Sequence, residues 1–103
     1  MEEKYNFRID SFSRSISIRI SLEIFPISVI LHSAYHFIDE SKVIVEPDKK
    51  NKIVVTLIPD KKTDLENLAY EFNIQLISSF VEEEESKIHA GIRDTMMKAA
   101  LLP

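Results

Sequence analysis

Ser15-Ile16-Ser17-Ile18-Arg19-Ile20-Ser21-Leu22-Glu23-Ile24 is the stretch that decides the fold. Aliphatic residues stand at every second position, and Ser15, Ser17, Arg19, Ser21 and Glu23 fill the gaps. A period of two puts all the aliphatic side chains on one face of a β-strand. Burying each contributes roughly 1.5–3 kcal/mol, and a one-residue slip would expose them all. The strand therefore fixes its own register. It defines a fold and carries no chemistry.

Working outward, the residues before this strand also alternate. Tyr5, Phe7 and Ile9 are separated by Asn6 and Arg8, with Asp10 next. Residues 1–14 thus read as an extra strand that turns near Ser11–Ser13, or else as a loosely held arm. Residues 15–103 form a single domain by size. After the strand, Pro26 suits the first turn of a helix. Ile27, Ile30, Leu31, Ala34, Tyr35 and Ile38 recur at helical spacing, so a helix is expected from Pro26 to Asp39. Ser28, His32, Ser33 and His36 make its polar face.

Lys42–Glu46 and Ile53–Ile58 are rich in valine and isoleucine, and Pro47–Lys52 between them is turn chemistry. They read as a hairpin. Ile53–Ile58 is apolar on both faces, which places it at the centre of the sheet. The expected order puts it between the other two strands, as in a split β-α-β unit with a right-handed crossover.

Thr63-Asp64-Leu65-Glu66 is a capping-box pattern that opens a long helical stretch. Leu65, Leu68, Ala69, Phe72, Leu76 and Phe80 form one apolar stripe; Val81, Ile88, Ile92, Met96 and Ala99 form another. The second is turned from the first by roughly 150°. One straight helix cannot lay both on the same core. Either the chain breaks near Ser78–Ser86, or its second half packs on something else. Glu82–Glu85 lies at this junction, as the first turn of a new helix or as a solvated face. The fold class is α+β: β-α-β-β-α with a small three-stranded sheet, four-stranded if the N-terminal segment joins, and a long C-terminal helix or helix pair.

Composition narrows the function. Thirteen basic and seventeen acidic residues give a net charge of −4, which disfavours nucleic acid and anionic membranes as partners. There is no cysteine, so disulfides, thiolate metal sites and cysteine nucleophiles are excluded. A single glycine, Gly91, leaves no phosphate loop or dinucleotide fingerprint, and no cofactor is expected. The polar start Met-Glu-Glu-Lys-Tyr is unlike a signal peptide, and no apolar run approaches the roughly 18 residues of a membrane span. A cytoplasmic protein is the expectation.

Candidate chemistry is sparse. His32 and His36 share a helix face and could hold a metal with a third ligand such as His89, but Ser33 stands where the zinc-protease motif needs glutamate. Solvated histidines are the simpler reading. Glu82–Glu85 share one environment, whereas an acid–base pair needs two. No nucleophile elbow surrounds any serine. Met96-Met97 with Ile88 and Ile92 reads as an adaptable contact surface or as ordinary core.

Ala34-Tyr35-x-Phe37, Phe72-Asn73-x-x-Leu76-Ile77, and Ile92-Arg93 with Ala99 form an ordered set on this strand–helix–hairpin–helix plan. Over roughly Ser15 to Leu101 the chain resembles the small HxsD family of the His-Xaa-Ser system. It differs from the family's usual acidic Asn-Glu-Leu-Leu-Asp stretch at Asn73–Ser78, and carries Glu82 where an arginine is usual. The resemblance implies an accessory protein in peptide maturation, working beside radical SAM enzymes and a His-Xaa-Ser repeat peptide. The radical chemistry would belong to those enzymes, because a chain without cysteine cannot hold their clusters by thiolates.

The expected function is therefore a non-enzymatic adaptor for a peptide or a radical SAM partner. One candidate surface is Ser15–Ile24 as an edge accepting an extended peptide, with Arg19 and Glu23 on its polar face. The other is the helix face of Ile88, Ile92, Arg93 and Met96. A self-associating homo-oligomeric module is the second reading, and a metal-dependent enzyme using His32 and His36 the third.

Overall fold

A computed structural model describes residues 6–101, with side chains through residue 88. The elements are β1 (Phe7–Asp10), β2 (Ser15–Ser21), α1 (Ile27–Tyr35), β3 (Ser41–Asp48), β4 (Lys52–Pro59) and α2 (Leu65–Leu101). The four strands form one antiparallel sheet in the order β1-β2-β4-β3. The fold is α+β, the N-terminal segment does supply a fourth strand, and β4 is interior as its two apolar faces require.

The pairs Ile16↔Leu57, Ile18↔Val55 and Ile20↔Ile53 join β2 to β4. All six side chains are buried on one sheet face, with Val29, Ile30, Ala34, Leu68, Ala69, Phe72 and Leu76 from the helices. Both helices thus cover the same face. Among the described residues no helix covers the other face: Ser17 and Thr56 hydrogen-bond across it at 3.3 Å, beside half-buried Val54 and Ile58.

Several boundaries differ from expectation, each for a local reason. β2 ends at Ser21 rather than Ile24, because the Ser21 carbonyl accepts from the Ile24 and Phe25 N–H groups at 3.1 Å each and bends the chain. Glu23 therefore sits in a turn, its N–H donating to Ser21 Oγ at 3.2 Å. α1 stops at Tyr35, where tighter bonds from Phe37 N–H to Ala34 O (3.0 Å) and Ile38 N–H to Tyr35 O (3.3 Å) replace the helical ladder. Its buried arc is Val29, Ile30, Ser33 and Ala34, leaving Ile27, Leu31, Tyr35 and Ile38 exposed. Ser33, assigned by periodicity to the polar face, is fully buried. Its hydroxyl donates to Val29 O (2.8 Å) and lies 3.4 Å from Gln75 O of α2. A small self-satisfied side chain lets the two helices approach closely.

α2 is a single helix of 37 residues, about 55 Å long at 1.5 Å per residue. Asp64 rather than Thr63 caps it, accepting from the Glu66 and Asn67 N–H groups at 3.1 and 3.2 Å. No break occurs near Ser78–Ser86. Among the described side chains, the last apolar one of α2 packed on the core is half-buried Phe80, whose ring meets Phe25 edge-on at 5.9 Å.

Two outcomes test this packing. Phe72→Ala should destabilise by about 3–5 kcal/mol, whereas Ile74→Ala, two residues on and facing outward, should stay within about 0.5 kcal/mol; equal shifts in urea midpoints would contradict the assignment of faces. In the β1–β2 turn, Asp10 Oδ1 accepts from Phe12 N–H (3.0 Å) and Ser13 N–H (3.2 Å). The Ser13 N–H, then its side chain, hold the Asp10 carboxyl below its ordinary range. That stabilisation is full above the unfolded carboxyl's pKa and lost as pH falls through the lower folded value. Acid should thus shift the Phe12 and Ser13 amide resonances, and Asp10→Ala should remove the response; an identical acid response in Asp10→Ala would contradict it.

Candidate functional site

The functional candidate is built on α2. Its inward stripe, Leu65, Leu68, Ala69, Phe72, Leu76 and Ser79, meets the sheet and α1. Turned from it by roughly 150° is an outward stripe of Tyr70, Ile74, Ile77, Val81 and Ile88. The steps are four, three, four and seven residues, which keep all five on one helix face. Ile74 is 63% exposed, Ile77 59%, Val81 46% and Ile88 60%. These four exposed aliphatics lie on one line of the helix and are not scattered.

Polar groups fix how α1 meets this helix. Ser28 Oγ donates to both carboxylate oxygens of Glu83, at 2.8 and 3.1 Å. His32 Nε2 lies 3.9 Å from Glu82 Oε2. The glutamate run is therefore partly a clasp: Glu82 and Glu83 turn toward α1, while Glu84 pairs with Lys87 at 3.4 Å.

The residues singled out by sequence are dispersed. Arg19 stands on the open sheet face, its Nε 2.9 Å from Asp48 Oδ2 of β3, so the side chain reaches across β4. β2 is flanked by β1 and β4, so it is not an edge and its backbone has no room for an added peptide. Glu23 is in the following turn. Ile88 is on the outward stripe, and the side chains of Ile92, Arg93 and Met96 lie outside the described residues. Sequence reasoning found Val81 and Ile88 but missed Ile74 and Ile77. The signal was present, because these extend the second stripe backward over the segment whose opposite face is core.

His32 and His36 neighbour each other, with ring centroids 5.3 Å apart. Among the described residues no group of three His, Asp or Glu side chains could hold a metal ion; the side chain of His89 lies outside them. A cleft of about 390 Å³ lies beside the β3–β4 ends, lined by Asp39, Glu40, Asp60, Lys61 and Glu71 among others. No helix is long and apolar enough to cross a membrane among the described residues.

These features define a class: an α+β fold in which, among the described residues, both helices pack on one face of a four-stranded sheet and the longer helix keeps an exposed apolar line. Residues 20–103 match the family model described as His-Xaa-Ser system protein HxsD, and the chain belongs to that family. The match begins within β2 and includes all of α1, β3, β4 and α2. No curated protein and no solved structure matches the chain. Membership makes the protein a component of the His-Xaa-Ser system.

Arg19→Ala tests whether the Arg19–Asp48 ion pair is structural. Both partners are partly solvated, so the loss should be no more than about 1 kcal/mol in urea unfolding. A loss of several kcal/mol would mean that the pair holds β3 to the sheet.

Proposed function

We propose that the protein is a non-enzymatic accessory of the His-Xaa-Ser system that docks a protein partner on the outward face of α2. One observation carries this reading: α2 uses one apolar stripe for its own core and leaves a second exposed from Ile74 to Ile88. An amphipathic helix with anchors at such spacing is the form that enters an apolar groove on a partner. By sequence, Ile92 and Met96 continue the same line, and Arg93 adds a charge beside it.

A radical SAM enzyme is the partner class that the family resemblance implies. The division of labour is chemically consistent, since a chain without cysteine leaves thiolate ligation of an iron–sulfur cluster to its partner. The His-Xaa-Ser peptide is the second candidate ligand, reached either directly or through that enzyme. A carrier role needs binding surface and no reactive group, and α2 supplies the surface.

The test is binding of the full chain to a radical SAM enzyme of the His-Xaa-Ser system, with the repeat peptide as a separate analyte. Micromolar or tighter binding is expected for the enzyme. Ile74→Glu with Ile77→Glu should weaken it at least tenfold, about 1.4 kcal/mol, while circular dichroism stays unchanged. No binding at micromolar concentration, or binding indifferent to both charges, would overturn the proposal.

A further inference from the structure

The free edge of β3 carries a second, independent surface. Asp60 N–H donates to Glu40 O at 2.9 Å, flanking the Ser41↔Pro59 pair. In an antiparallel ladder that bond makes Ser41↔Pro59 a non-hydrogen-bonded pair, so Lys42, Ile44 and Glu46 exchange bonds with β4. Val43, Val45 and Pro47 then direct their backbone groups away from β4, toward the edge. Pro47 has no N–H, and the Ser41 N–H is already donated to Phe37 O at 3.0 Å. The outward donors in the strand are those of Val43 and Val45. β3 closes the strand order, and no other described strand pairs with it.

The side chains of this edge are self-complementary. Lys42, Ile44 and Glu46 lie on the open sheet face; Val43 and Val45 lie on the helix-covered face. Ile44 is 43% exposed and Val45 36%. Among the described residues neither Lys42 nor Glu46 has an ion pair. We propose that β3 pairs antiparallel with β3 of a second copy, about a two-fold axis at Ile44, joining two four-stranded sheets into one.

In that register Lys42 faces Glu46 of the second copy, and Glu46 faces Lys42 of the second copy. Ile44 meets its own counterpart at the axis. Val43 faces Val45 of the second copy, so the outward N–H and C=O groups of both valines are matched. The backbone parity agrees with this arrangement: the valine pairs are hydrogen-bonded, while the Lys–Glu and Ile–Ile pairs fall at the closer, non-bonded positions where side chains touch best. Pro47 falls opposite Ser41, whose N–H is already used. Shifting the axis to Val43 sets Lys42 against Ile44 and Glu46 against Glu40; shifting it to Val45 sets Ile44 against Glu46. Charges and a proline on an edge ordinarily discourage pairing. Here they leave one register favoured and disfavour open-ended association. The occupant argued for is a second copy, because the charge order of β3 is its own complement. This contact uses the sheet edge and does not rest on docking at α2.

Sedimentation equilibrium of the full chain tests the proposal, with circular dichroism confirming the fold of each variant. The wild type should form a dimer at tens of micromolar. Lys42→Glu and Glu46→Lys should each weaken it at least tenfold, and the two together should restore it. Val45→Pro, which removes an outward N–H that β4 does not use, should give a monomer. Ile74→Glu with Ile77→Glu should leave the dimer intact. A wild-type monomer at hundreds of micromolar, a dimer indifferent to both charge reversals, or loss of the dimer only on changing α2 would overturn the edge contact. So would a monomer whose edge takes up the repeat peptide instead.

Discussion

Three cross-strand pairs, Ile16–Leu57, Ile18–Val55 and Ile20–Ile53, are what the rest of the molecule depends on. They make one face of the sheet aliphatic across its two central strands, and that face must be covered. α1 and the first half of α2 cover it, with Phe72 and Leu76 seated against the cluster and Ser33 keeping the helices close. Both helices pack on one side, and among the described residues the reverse of the sheet carries polar pairs such as Ser17–Thr56 and Arg19–Asp48.

A consequence is a surplus of apolar surface. Among the described residues, fourteen large apolar side chains are exposed against thirteen apolar residues buried. Scattered exposure would be ordinary. Here much of it is ordered, on the outer line of α2 and along β3. α2 runs on past Phe80, the last described residue of the helix packed on the core. Membership in the His-Xaa-Ser system and an exposed apolar helix face are the two observations behind the proposed contact role.

Much of the fold could be read in the sequence, because periodicity reports which residues share a face. The alternation at Ile16–Ile20 located β2, and the two apolar faces of Ile53–Ile58 located the interior strand. What periodicity does not report is what covers a face. Leu22 and Ile24 continue the alternation, yet Ser21 ends the strand by accepting two turn hydrogen bonds. Ser33 looks polar but is buried, because its hydroxyl is satisfied within its own helix. The two stripes of α2 left open a break or a second packing surface; the helix is continuous, with one stripe in the core and the other exposed as far as Ile88. The candidate surface was legible only at Ile88 and Val81. Its other half, Ile74 and Ile77, lies back to back with the core residues Phe72 and Leu76 and was hidden by them in a linear reading.

The chain has no native cysteine, so a single introduced thiol can report the environment of any position. The most direct measurement is the rate at which a thiol reagent labels Ala69→Cys, Ser79→Cys, Ile74→Cys and Val81→Cys in the folded, isolated protein. Thiols at 74 and 81 should react at close to the rate in unfolded chain, and those at 69 and 79 far more slowly. Equal rates at all four sites, or slow labelling at 74 and 81 in the monomer, would contradict a helix with one face committed and the other free.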